Sequence, residues 1–272
     1  MRRTEMIELH DHPRFPAFLR DLVTDALQAL WYFGNSYGPI AGRLHNSLAA
    51  QSRTTPVEVL DLCSGGGGPW LRLAHDLERS FRLPTCVCLT DKYPNREAFE
   101  QGRLQAQVSG NSRSQLAFVS YPVDAMHVPA QLDGFRTIFS SFHHFGPDEA
   151  REVLRNAVEE DKGIGIFELA HRSGKTLFIL CFTPVLVWLF TPRIRPFRWS
   201  RLFWTYLVPV VPFVIWYDGL VSCLRAYAPE ELHEMVQEVE QSSSTGYHWQ
   251  IGEENTGLLP ITYLIGYPAS GE

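Results

Sequence analysis

Apolar residues in the first fifty positions recur at helical spacing. Phe15, Leu19, Leu22, Val23, Ala26, Leu30 and Phe33 fall on one face of a helix that Gly34 stops. Ile40, Leu44 and Leu48 predict a second, shorter helix. The period then changes. Val57–Leu62 is a short apolar-rich run, and Thr85–Thr90, Leu116–Tyr121, Phe135–Ser140 and Ile164–Leu169 are four more of its kind. Helical patterns separate them. Trp70, Leu71, Ala74, Leu77 and Phe81 give a helix ending before Pro84, Pro94 opens another, and Pro147 opens a third that closes near Gly163. Strands alternating with helices predict an α/β fold, a mostly parallel sheet with helices on both faces. Pro229 then starts a helix with Leu232, Met235, Val236 and Val239 inward. Tyr247–Ile251 and Ile261–Tyr267 read as two last strands around a loop over 252–259.

One stretch breaks this alternation. Thr176–Pro192 is 17 residues without charge and Leu202–Tyr217 is 16 more, with four arginines between them. A membrane span needs about 20 apolar residues, with a lower limit near 17, and Pro184, Pro209 and Pro212 interrupt these runs. The strands before and after belong to one sheet, so a spanning hairpin would carry its arginines to the outer side, against the positive-inside tendency. Two readings remain. The insert is an interfacial hairpin meeting anionic headgroups, or it is a lid over the site or a contact with a second subunit. Both imply a hydrophobic small-molecule acceptor.

At 272 residues and 45% hydrophobic content the chain is able to bury a sizeable core as one α/β unit. The net charge of −6 gives nucleic-acid binding no electrostatic support. The charge is uneven. Arg172, Lys175, Arg193, Arg195, Arg198 and Arg201 lie between His171 and Tyr217 with no Asp or Glu, which leaves 18 basic against 30 acidic residues, or −12, elsewhere. The five cysteines are odd in number and include no Cys-x-x-Cys pair. This predicts neither a disulfide frame nor a metal site and points to a reducing, cytoplasmic compartment. The N-terminus has no long apolar run after its arginines. Gln241–Thr245 reads as an exposed loop.

Candidate chemistry begins at the end of the first strand, where Asp61 precedes Gly65, Gly66, Gly67 and Gly68, and Pro69 stands at a helix start. Glycines let a ligand approach the backbone, and free N–H groups at the next helix favour an anion. A triphosphate loop would carry Lys and Ser or Thr where Pro69 and Trp70 stand. A dinucleotide loop starting at Gly65 would end in glycine, not Trp70. S-adenosylmethionine (SAM) offers a carboxylate to the helix start and cationic groups to Asp61.

The whole pattern resembles the Rossmann-like, class I SAM-dependent methyltransferases, over Val57 to about Ala170 with the two final strands in support. The resemblance implies a seven-stranded sheet with an antiparallel last strand, SAM as cofactor, and methyl transfer to a small molecule. It matches the acidic residue and alternating glycines to Asp61, Gly65 and Gly67, with Cys63 in place of the family's first glycine. It matches the ribose-binding acid to Asp91, and the adenine-binding acid after the third strand to Asp124, beside Ala125. Ser141, His143 and His144 follow the fourth strand, where the family faces the transferred methyl group. A histidine there suits proton removal near neutrality, and on an extended segment one of the two rings would face the pocket. Glu168 and His171 at the fifth strand, and Tyr32 and Tyr37 between the first helices, are candidate acceptor contacts. The expected organisation is an N-terminal helical cover over 1–52 and a methyltransferase domain over 53–272, with an apolar, basic insert at 172–222. A second reading keeps the cofactor fold as a non-catalytic, membrane-attached scaffold.

Overall fold

The computed structural model describes residues 3–51, 54–108, 113–242, 246–257 and 259–269. The boundary expected at 52–53 and the last three positions of the loop expected over 241–245 lie outside them. Seven strands form: β1 (Val57–Leu62), β2 (Thr85–Leu89), β3 (Gln115–Phe118), β4 (Phe135–Phe139), β5 (Ile164–Glu168), β6 (Tyr247–Asn255) and β7 (Pro260–Pro268). They make one sheet in the order β3-β2-β1-β4-β5-β7-β6. All neighbouring pairs are parallel except those of β7, which runs antiparallel to β5 and β6. The strand order reverses between β1 and β4, so their carboxyl ends open a crevice.

Ten helices accompany the sheet among the described residues: α1 (Ala17–Gly34), α2 (Ala41–Gln51), α3 (Trp70–Phe81), α4 (Arg96–Val108), α5 (Pro147–Glu159), α6 (Gly174–Leu180), α7 (Thr183–Phe190), α8 (Trp199–Leu202), α9 (Val210–Arg225) and α10 (Pro229–Ser242). Alternation along β1 feeds both faces of the sheet. Leu60 and Leu62 pack with Val153 and Leu154 of α5 and Leu232 and Met235 of α10. Val57 and Val59 pack with Leu44 and Leu48 of α2 and Leu73 and Leu77 of α3.

Three boundaries move. The helix expected to open at Pro94 begins at Arg96, because the Asn95 side chain accepts the Ala98 N–H at 3.1 Å as a cap. The third strand stops at Phe118. The loop expected over 252–259 shrinks to 256–259, since the β6–β7 ladder continues to the pair Asn255 and Pro260.

The insert folds as α6 to α9 and joins α1 over the carboxyl end of the sheet. Leu22, Val23 and Ala26 of α1 share a core with Val187 of α7 and Val211, Val214 and Ile215 of α9. A buried ion pair fastens this layer: Arg201 Nη2 lies 2.5 Å from Asp25. Its outer side stays apolar, with Phe178 67% exposed and Trp199 78% exposed. The stretch Gly174–Arg193 is long and apolar enough to cross a membrane by composition, with mean hydropathy 1.7 and only 17% of it buried. It runs through α6, α7 and a final turn, whereas Trp199–Leu207 and α9 meet at a bend of 69°.

Candidate active site

The crevice is a cavity of about 550 Å³ that runs from the glycine turn to the turn after β4, under α1, α6 and α9. β1 enters the turn at Cys63, whose φ is +57°. An L side chain held there costs about 1–2 kcal/mol, which accounts for the glycine that the resembled family carries at this place. Gly66 is required by contact: a Cβ would stand 2.7 Å from the Thr24 carbonyl oxygen on α1. Gly67 has a φ of +110°. The turn is therefore moulded against the N-terminal helix.

Asp61 lies beneath this turn and is 1% exposed, outside the cavity lining. Its Oδ1 accepts the Thr137 hydroxyl at 2.6 Å and its Oδ2 accepts the Ser64 hydroxyl at 2.6 Å. Burial pushes the carboxyl up to about 7 despite these bonds. Asp61 therefore stands behind the cavity wall, and a bound cation would meet it only through the turn or through water. Asp61 braces the turn from below, because both of its oxygens face inward.

Asp91, at the end of β2, does line the cavity. Its Oδ2 accepts the Gly65 N–H at 2.7 Å and its Oδ1 the Tyr93 N–H at 2.7 Å, and burial raises its pKa. Each oxygen keeps a lone pair for a further donor. Asp124 accepts the Met126 N–H at 3.0 Å and lines the same end with Cys63, Gly65 and Ala125. Ser141 lines it too, its hydroxyl donating to the Phe139 carbonyl at 3.0 Å.

The opposite end is polar. Phe142–His144 is a tight helical turn, not the extended segment expected, so His143 and His144 sit side by side with ring centroids 4.4 Å apart. Both line the cavity. His143 Nδ1 is 2.8 Å from Glu168, and His144 Nδ1 is 2.6 Å from Asp11. Glu8 lies beyond them, 3.3 Å from His143 Nε2 and 3.7 Å from His144 Nε2. Asp218 of α9 accepts the Leu9 N–H at 2.6 Å and holds His10 Nδ1 at 2.7 Å. Burial opposes charge on His143, but Glu168 and Glu8 outweigh it and lift the imidazole to about 10. Burial likewise opposes charge on Glu8, and the three neighbouring imidazoles bring it down to about 2.

All four expected acceptor contacts fall outside the cavity lining. Tyr32 is 46% exposed on the outer edge, and Tyr37 is 2% exposed, bonded through its hydroxyl to Ser140 beneath the cavity. Their neighbours Trp31, on α1, and Ser36, in the turn after it, line the wall instead. His171 turns away to the Pro260 carbonyl at 2.7 Å. Glu168 is behind His143 and not in the wall. The sequence reading missed Glu8, His10, Asp11 and Asp218. The run Glu8-Leu9-His10-Asp11-His12 was the available signal, four titratable side chains in five positions.

Neither a family model nor any curated protein matches the chain. Solved structures do. Magnesium protoporphyrin IX methyltransferase (ChlM) from Synechocystis PCC 6803, with bound SAM, is 11% identical, with 98% of this chain and 100% of that chain covered, at a TM-score of 0.50. The plantazolicin methyltransferase BpumL, in complex with S-adenosylhomocysteine, is 11% identical over 93% of this chain and 98% of that chain, at 0.49. Human N-acetylserotonin methyltransferase, in complex with SAM, is 12% identical over 94% of this chain and 57% of that chain, at 0.46. With its strand order and its ChlM-like arrangement, the chain has the Rossmann-like fold of the class I SAM-dependent methyltransferases.

Proposed function

We propose that this protein transfers the methyl group of SAM to a small, hydrophobic acceptor. One observation carries the reading: a single cavity joins three strand-end elements suited to a nucleoside to a buried imidazole–carboxylate cluster, under an apolar roof. Asp91 would take the ribose hydroxyls with its free lone pairs. Asp124 and Ala125 would meet the adenine, and the backbone at Cys63 and Gly65, stiffened by Asp61, would meet the amino-acid tail. The methyl group would then point at the turn after β4. Methyl transfer is an in-line displacement on an already activated carbon, so the protein's work is alignment and exclusion of water. Leu27, Leu30, Trp31, Ile179, Leu180 and Ile215 supply apolar wall for the acceptor. The polar cluster orients its nucleophilic atom and receives the proton that atom sheds. A non-catalytic scaffold would need no such cluster.

The outer face of α6 and α7, with Lys175, Arg193 and Arg195 exposed around it, is read as a contact with an anionic membrane surface. All five cysteines are free thiols, which supports a cytoplasmic setting. Calorimetry with S-adenosylhomocysteine tests the cofactor assignment. Two charge-assisted hydrogen bonds at about 1.5–3 kcal/mol each make Asp91→Ala weaken binding by at least about a hundredfold. Unchanged affinity, or no saturable binding to the wild type, overturns the reading.

A further inference from the structure

Glu8, His143 and His144 meet in a way that hydrogen bonding among them does not account for. Each histidine gives its Nδ1 to a carboxylate, Glu168 at 2.8 Å and Asp11 at 2.6 Å. That fixes the proton of a neutral imidazole on Nδ1 and turns the bare Nε2 of both rings toward Glu8. His143 is 2% exposed, and its Nε2 has no hydrogen-bond partner. Glu8 is 1% exposed. Two ring nitrogens and a carboxylate, all electron-pair donors, thus converge in a buried place.

A positive charge between them, a ring proton or a bound cation, offsets their repulsion. A shared proton would draw N and O to about 2.7–2.9 Å. The observed separations are 3.3 Å for His143 and 3.7 Å for His144. Ligands held at about 2.0–2.1 Å around a tetrahedral centre stand about 3.4 Å apart. The spacing suits a cation between the groups better than a proton.

We propose that Glu8, His143 and His144 bind one divalent first-row transition-metal cation of the zinc or ferrous class at the acceptor end of the cavity. Two histidines and one carboxylate leave coordination positions open, the arrangement of a reactive centre and not a closed structural one. The carboxylates behind the rings complete it, because a partner on the far nitrogen fixes tautomer and orientation. Ser222 steadies Glu8 by donating its hydroxyl to Oε1 at 3.0 Å. All three ligands line the cavity, so the open positions face the acceptor. This rests on the methyl-transfer reading and sharpens it: the acceptor binds through an oxygen.

The test uses the full chain, stripped by a chelator and titrated with Co²⁺, followed by its ligand-field absorption, and with Zn²⁺ by calorimetry. One equivalent per chain is expected. Glu8→Gln and His144→Ala should each weaken Co²⁺ at least tenfold while the thermal melt stays cooperative. Glu168→Gln, acting through His143, should cost about 10–100-fold. No saturable uptake by folded wild type, or uptake that Glu8→Gln and His144→Ala leave unchanged, overturns the cation site. S-adenosylhomocysteine affinity on the same samples separates the two proposals. Binding of that nucleoside without metal uptake removes the cation alone. Metal uptake without it removes methyl transfer and leaves the site.

Discussion

Asp61→Asn isolates one buried ionisable group under the glycine turn. The folded chain holds this carboxyl at about 7, against 3.8 for the free side chain. Burial is the main cause, and the charge on Asp91 adds to it. Between about pH 4 and about pH 7 the folded state therefore binds more protons here than the unfolded state. Stability from this group is full below the lower value and is lost as pH rises through the upper one. At 1.36 kcal/mol per pKa unit the full span is about 4 kcal/mol, of which roughly 3 kcal/mol falls between about pH 5 and about pH 8. Asparagine has the same shape and does not ionise. The Thr137 and Ser64 hydroxyls, each 2.6 Å away, are able to turn, one donating to the amide oxygen and the other accepting from the amide nitrogen.

The assay is urea unfolding of both proteins across that range, followed by tryptophan fluorescence. Taking the difference between variant and wild type cancels the contributions of the histidine cluster. The variant should gain on the wild type by roughly 3 kcal/mol as pH rises from about 5 to about 8. A difference that stays constant with pH refutes the reasoning, because Asp61 would then titrate alike in the folded and unfolded chains.

Two further expectations concern the turn and the roof. Cys63→Gly relieves a left-handed backbone and should be neutral or stabilising by up to about 1 kcal/mol, whereas Cys63→Val should destabilise the protein; a glycine variant less stable by more than about 1 kcal/mol in urea contradicts the strain argument. Flotation with vesicles containing anionic lipid should carry the wild type upward, and Phe178→Ser with Trp199→Ser should leave the protein at the bottom; equal flotation of both, or a dimer in sedimentation that buries this face, removes the membrane contact.

The sheet was legible because β1, β2, β4 and β5 are apolar-rich runs of five or six residues, each preceded by glycine or proline, a signal that needs no tertiary information. The end of the cavity at the glycine turn was legible for a related reason. Asp91 and Asp124 follow successive strands, so chain order alone brings them to one rim of it. The other end was legible only at His143 and His144. Its groups come from residues 8–11, 143–144 and 218–222, and only the packing of α9 against the N-terminal turn unites them, through the bonds from Asp218 to Leu9 and His10. Tyr37 was misplaced because an aromatic hydroxyl near a glycine reads alike whether it faces a pocket or, as here, Ser140 in the core.

The charge asymmetry read from the sequence has a structural use that composition does not reveal. The insert carries six cations against an acidic body. Three of them are docking contacts: Arg201 with Asp25 at 2.5 Å, Arg198 with Glu97, and Arg172 with Glu231. An apolar roof on apolar helices has little to set its register, since such faces pack in several ways. A buried pair such as Arg201 and Asp25 adds little net stability over a hydrophobic substitute, but a misplaced roof would strand both charges at several kcal/mol. The same pair is anchored to the crevice, because Asn95, just after β2, donates to Asp25 at 3.1 Å. Half of the insert's charge thus fixes where the roof sits over the crevice. The exposed half, Lys175, Arg193 and Arg195, is what remains for an outside partner.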